Sequence, residues 1–150
     1  MSGQRLQYAK VAPAAVKALG DVEKYVKTSG LDESLIELVK MRASQINHCA
    51  FCLNMHSADA RKNGETEQRL YVLDAWEETQ LYTPRERAAL AWTESLTRLP
   101  ETGAPDKDYT PLAEHFSEKE IVDLTVLIGM INLWNRIGVG FRLALPVAKP

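Results

Sequence analysis

The sequence predicts an all-α fold, and three observations carry that prediction. Apolar residues recur three and four positions apart along most of the chain, the spacing that places them on one face of a helix. Two segments, Thr83-Pro84-Arg85-Glu86 and Ser117-Glu118-Lys119-Glu120, have the capping-box pattern that opens a helix. No run alternates apolar and polar residues between turn signals, as a half-buried strand would, and there is no glycine-rich phosphate loop.

Six to seven helices follow from these signals. Pro13 suits the first turn of a helix, where the N–H it lacks would have no partner, and Val16, Leu19, Val22 and Val26 continue on one stripe, with Gly30 beyond the end. Asp32 is a good N-cap for the second helix, and Leu31 can staple onto Ile36 across it. That helix carries Leu35, Leu38, Val39 and Ile46 and should fade near Asn47-His48. The third runs from about Cys49 to Lys62 and is closed by Asn63-Gly64. A fourth begins after Thr66, with Leu70, Leu73 and Trp76 inward. The Thr83 start leads into Ala89, Leu90, Leu96 and Leu99. Pro100 to Asp108, with two prolines and a glycine, is expected to be a loop, and Pro111 to Phe116 a short turn. The Ser117 start leads into Ile121, Leu124, Ile128 and Ile131, until Gly138 and Gly140 weaken or end the helix. Between Leu124 and Trp134 this helix is apolar on more than one face, so it is either central to the core or covered by another subunit. A homo-oligomer is therefore expected.

A length of 150 residues fits one domain, residues 1–150, and 45% hydrophobic residues supply a core that needs no metal or disulfide staple. The net charge of −2 and the lack of a basic stripe with exposed aromatics exclude nucleic acid as the expected partner. The N-terminal segment has no apolar core of signal-peptide length. The stretch Leu124 to Trp134 is short for a bilayer, which takes roughly 20 apolar residues, and Asn132, Asn135 and Arg136 interrupt or follow it. The expectation is a cytoplasmic protein with no membrane partner, where a close cysteine pair would rest reduced.

The chemistry-bearing stretch runs from Glu37 to His56. Cys49 and Cys52 are three residues apart and His56 is four beyond Cys52, so on a helix all three share one stripe. Two sulfurs one turn apart at a helix start can close a disulfide, and the free amides and positive dipole end there favour thiolate over thiol. On that ground alone Cys49 is the more acidic thiol, whereas the imidazole one turn away favours Cys52. Glu37 on one unbroken helix would stand about 18 Å from Cys49 and roughly 120° around the axis. It reaches the thiols only if the chain breaks near Asn47-His48 and the two helices pack side by side. Taken alone, it is a solvated carboxylate near Lys40 and Met41, His48 is a turn residue and His115 a surface one.

A metal site is the rival from another class. His48, Cys49, Cys52 and His56 offer four zinc ligands, but adjacent ligands at one helix start make a closed tetrahedron awkward, and no second ligand pair exists elsewhere. A c-type haem would need histidine where Leu53 stands, and a thioredoxin fold would need strands. No metal and no cofactor are expected.

Glu37, Cys49-Ala-Phe-Cys52 and His56 together resemble the signature of alkylhydroperoxidase D-like proteins of the carboxymuconolactone decarboxylase superfamily. Residues 81–92 resemble the helix that follows the redox helix in that family, and Ile131 to Ile137 its closing helix, so the likeness spans roughly residues 30 to 140. The resemblance implies an all-helical homo-oligomer, often a trimer or hexamer, that reduces hydroperoxides through a dithiol–disulfide cycle with an antioxidant role. It implies Cys52 as the attacking thiol, Cys49 as the resolving thiol, and Glu37 with His56 as the proton relay. It also implies an external dithiol reductant, with a lipoyl-bearing protein as a candidate donor. Some members place a histidine directly before the second cysteine, where this chain has Phe51. A disulfide reductase or redox adaptor would use the same pair without fast peroxide turnover. The decarboxylase branch does not use it.

Overall fold

The computed structural model describes residues 3–146, and these contain nine α-helices, one 3₁₀ segment and no strand. In chain order the helices are α1 (Tyr8–Val11), α2 (Pro13–Lys27), α3 (Glu33–Ile46), α4 (Ala50–Lys62) and α5 (Glu67–Tyr71), then the 3₁₀ segment Leu73–Glu78. They continue as α6 (Pro84–Thr97), α7 (Leu99–Thr102), α8 (Asp106–His115) and α9 (Glu118–Gly140).

The starts read from local signals are where the sequence places them. Pro13 opens α2, Asp32 is the N-cap of α3, and Leu31 and Ile36 pack into the same core cluster. Both capping boxes are complete: the Thr83 and Ser117 hydroxyls accept from the backbone of Glu86 and Glu120, whose carboxylates accept in return. Thr66 caps α5, and Leu70, Leu73 and Trp76 are buried below it.

Three expectations fail between α6 and α9. The stretch 100–108 is not all loop, because Leu99–Thr102 forms a turn of helix ended by Gly103 in a left-handed conformation (φ 64°). The expected turn at Pro111 is the second half of a ten-residue helix that begins at Asp106. Pro111 costs that helix one backbone bond, and burial of Leu112 and Phe116 in the core holds it in place. Leu99 was expected on the inward stripe but is 48% exposed, because α6 ends two residues earlier.

The core lies around α3 and α9. Helix α3 is buried over ten consecutive residues, Leu35 to Ser44, and packs on α4, α6 and α9. Leu35, Ile36 and Val39 join one apolar cluster with Val26, Leu112 and the inner side of α9. Leu38 and Met41 join a second with Leu70, Leu73, Trp76 and Leu90. Complete burial of side chains such as Leu124, Leu127 and Ile131 contributes about 1.5–3 kcal/mol each. Helix α9 has 23 residues and a mean hydropathy of 1.2 in its most apolar stretch, so it is longer than its apolar sequence suggests. In length and composition it would cross a bilayer, but here it is a core helix, with Leu124, Leu127, Ile128 and Ile131 buried against its neighbours.

The polar groups carried inward by α3 are paired. Arg42 Nε donates to Glu94 Oε1 at 2.7 Å, and Trp76 Nε1 donates to the same oxygen. Lys40 bonds to Glu23 on α2 and lies 3.8 Å from Glu37. Pairing of this kind is what allows charged side chains to be buried.

Candidate active site

The site is built on the connection between α3 and α4. Helix α3 stops at Ile46, and His48 takes a left-handed conformation (φ 53°) that turns the chain sharply. Cys49 is extended and becomes the N-cap of α4, its sulfur accepting from the Cys52 N–H at 3.3 Å. The turn is tied down from a distance. Asn47 Nδ2 donates to the side-chain oxygens of Asn132 and Asn135 on α9, both at 2.9 Å, and Asn135 donates to Ser44 Oγ at 3.0 Å. The break makes α3 and α4 a packed helical hairpin, which is the condition under which Glu37 can approach the redox helix.

Glu37 does approach it. His56 Nδ1 stands 2.9 Å from Glu37 Oε2, with both residues buried (6% and 9% exposed). A carboxylate is acceptor-only, so Nδ1 carries the hydrogen and donates it. That leaves Nε2 as the basic nitrogen of the ring. Cys49 and Cys52 are joined in a disulfide with their Cα atoms 5.3 Å apart.

A cavity of about 660 Å³ opens over this arrangement. Glu37, Cys52 and His56 line it, together with Lys40, Phe51 and Met55, while Cys49 is not part of its wall. Tyr8, Trp134 and Leu143 also border the cavity. Tyr8 stacks on Phe141 and meets Trp134 edge-on, and Arg5 N donates to the Phe141 carbonyl, so the N-terminal segment is fastened across the end of α9. The rest of the lining is mixed, apolar from Val26 and Ile36, charged from Glu23, Lys27 and Asp59.

All four residues singled out from the sequence, Cys49, Cys52, His56 and Glu37, are thus gathered at one place. The zinc set is not. His48 is exposed on the turn, and the cysteines bond to each other. Among the described residues the grouping able to offer metal ligands is Glu37, His56 and Asp59, whose donor atoms lie within 4.8 Å of one another. Here Glu37 is engaged by His56 and Asp59 lies 3.6 Å from Lys62.

Sequence reasoning missed Lys40, Asp59 and Gly138. Lys40 is three residues after Glu37 and Asp59 three after His56, so helical spacing could have placed both on the site's face. Gly138 was read only as a weak point of the last helix, yet it lies directly against the sulfurs.

The profile of the carboxymuconolactone decarboxylase family matches residues 12–95, more than half of the chain. The uncharacterized protein YdfG of Bacillus subtilis (strain 168) is 48% identical over 136 residues, covering 91% of this chain and 92% of the relative. The uncharacterized protein YnjA of Escherichia coli (strain K12) is 36% identical over 111 residues, 73% of this chain and 60% of the relative. A crystal structure from Agrobacterium tumefaciens, of a protein of unknown function with antioxidant defence (AhpD) as its suggested role, superposes with a TM-score of 0.94 at 49% identity, over 97% of this chain and 99% of that one. The debrominase Bmp8 superposes with a TM-score of 0.82 at 19% identity, over 91% and 74%, which speaks to the fold alone.

Proposed function

The chain belongs to the carboxymuconolactone decarboxylase family, and from that premise we propose that it is a thiol-dependent peroxidase that reduces hydroperoxides through a Cys49/Cys52 dithiol–disulfide cycle. The observation that carries this reading is the division of the pair. Cys52 faces the cavity with Glu37 and His56, and Cys49 sits behind it as the helix cap.

Each part then has a task. Glu37 holds Nδ1 of His56 protonated, so Nε2 accepts the Cys52 thiol proton and leaves the thiolate. The thiolate attacks the terminal oxygen of the hydroperoxide; the O–O bond breaks, and the departing alkoxide takes a proton to become the alcohol. Cys52 is left as a sulfenic acid. The Cys49 thiolate attacks that sulfur, the S–S bond forms, and hydroxide leaves as water. An external dithiol attacks Cys52 from the cavity, and Cys49 departs as a thiolate favoured by the Cys52 N–H and the helix start. A second thiol of the donor closes its own disulfide and returns Cys52 to the thiol. Phe51 on the cavity wall supports a second reading. Some family members have a histidine there, and without it the pair is suited to disulfide exchange with slow peroxide turnover.

One experiment separates the two. The reduced protein is given cumene hydroperoxide with dihydrolipoamide as donor, and alcohol and disulfide are counted. The peroxidase reading expects one alcohol per disulfide formed and loss of turnover in Cys52→Ser. Peroxide consumption no faster than with the donor alone, alongside active reduction of a disulfide substrate, would transfer the protein to the second reading.

A further inference from the structure

Gly138 lies within α9, two residues before its end, and is buried. Its φ is not in the left-handed region, so the backbone itself does not require glycine there. Glycine inside a helix is less stable than alanine would be, and something else must account for the residue. A Cβ at position 138 would stand 2.7 Å from Cys49 Sγ and 3.6 Å from Cys52 Sγ. Gly129 and Gly140 of the same helix would meet nothing within 4 Å. Of the three glycines in α9, one alone is pressed against the sulfurs.

We propose that Gly138 is a positioning residue that sets the redox balance of the Cys49–Cys52 pair, by leaving open the space that Cys49 Sγ occupies in the disulfide. In the dithiol, Cys49 can rotate about its Cα–Cβ bond and move its sulfur away from an added methyl group. In the disulfide that sulfur is tethered to Cys52, itself within contact distance of the same point, and neither can withdraw. A methyl group at 138 therefore disfavours the disulfide more than the dithiol. If the pair also serves as a peroxidase, as proposed above, a second effect follows. Cys49 reaches the Cys52 sulfenic acid more slowly, and a second hydroperoxide then oxidises that sulfenic acid to sulfinic acid, itself leaving as alcohol.

The test compares the parent, Gly138→Ala and Gly129→Ala proteins, each equilibrated in mixtures of reduced and oxidised dithiothreitol and read by mass after alkylation. Gly138→Ala is expected to shift the balance toward the dithiol by about tenfold or more, the scale of overpacking a closed interior by one methyl group, and Gly129→Ala to leave it unchanged. A Gly138→Ala balance within about twofold of the parent would overturn the proposal. This readout involves no peroxide, so it stands or falls apart from the peroxidase reading. With cumene hydroperoxide and dimedone, Gly138→Ala should accumulate the Cys52 adduct and sulfinic acid. If the parent fails to react at all, that failure counts against the peroxidase reading alone. Should Gly138→Ala not fold, it is combined with Cys49→Ala. Recovery of the fold supports contact with the sulfur, and continued failure overturns it.

Discussion

Replacing Glu37 by glutamine changes the charge at the centre of the proposed relay while preserving its shape. The glutamine oxygen can still accept from His56 Nδ1, so any loss reports charge rather than position. When His56 takes the Cys52 proton it becomes an imidazolium 2.9 Å from the carboxylate. At an effective dielectric of about 20 that attraction is roughly 6 kcal/mol. Lys40 lies 3.8 Å from the other carboxylate oxygen and already balances part of the charge. A net effect of about 3 kcal/mol remains, equivalent to a roughly hundredfold slower reaction and at the low end of what a positioned base contributes. The assay is the alkylation rate of Cys52 by iodoacetamide in the reduced protein, which needs no peroxide turnover, with circular dichroism as the control for folding. His56→Gln should be at least as slow. The double variant should be little worse than the slower single one, because residues acting as a unit are not additive. Raising the pH above the ordinary thiol pKa of about 8.5 should restore much of the rate, since solvent then removes the proton. A folded Glu37→Gln protein that reacts at the parent rate would refute the relay, and losses that multiply would mean two separate roles.

Mild oxidation should remove two hydrogens of mass from each chain and map to one peptide holding Cys49 and Cys52, since both sulfurs are buried and adjacent; a disulfide-linked dimer as the main product would contradict this. Val122, Leu133 and Val139 on the outer side of α9 are 59%, 42% and 49% exposed, and light scattering should find a homo-oligomer of the 16.8 kDa chain; a stable monomer at low micromolar concentration would count against it. Asp123 is pushed up by burial, but Lys119 and Tyr25, each 2.6 Å from a carboxylate oxygen, outweigh that and hold it below the usual carboxylate range. Its folded value being lowered, the stability it contributes is complete above that range and is lost as the pH falls through the lowered value. Asp123→Asn should melt lower than the parent at neutral pH, with the gap closing in acid; a gap independent of pH would assign the effect to packing.

The fold was legible wherever its cause was local. A capping box is four consecutive residues whose hydrogen bonds close among themselves, so Thr83 and Ser117 could be read without knowing what the helices pack against. Helix α8 could not. Its first residues are polar, Pro111 argues against it, and what secures it is the burial of Leu112 and Phe116 in a core where α8 packs chiefly on α6, and also on α9. The same holds for Leu99, whose spacing from Leu96 suits an inward stripe until the chain leaves the helix at Arg98.

The site divides along the same line, between groups placed by one helix and groups placed by the packing of several. Cys49 caps α4, and Cys52 and His56 follow on it one turn apart, so local spacing alone brings them together. Glu37 needs the hairpin, and the hairpin needs Asn47, which is held by residues 85 and 88 positions further along the chain. Nothing near Glu37 records that requirement, so the role proposed for it could be read only through the family likeness. For Gly138 even the likeness is silent: it spans roughly residues 30 to 140 and takes in the closing helix, but it assigns no role to any residue there. Local rules treat Gly129, Gly138 and Gly140 alike, as weak points of one helix. The distinction among them exists only where α9 crosses the sulfurs. The helix that carries none of the proposed chemistry therefore supplies both the anchor of the redox turn and the space in which the disulfide closes.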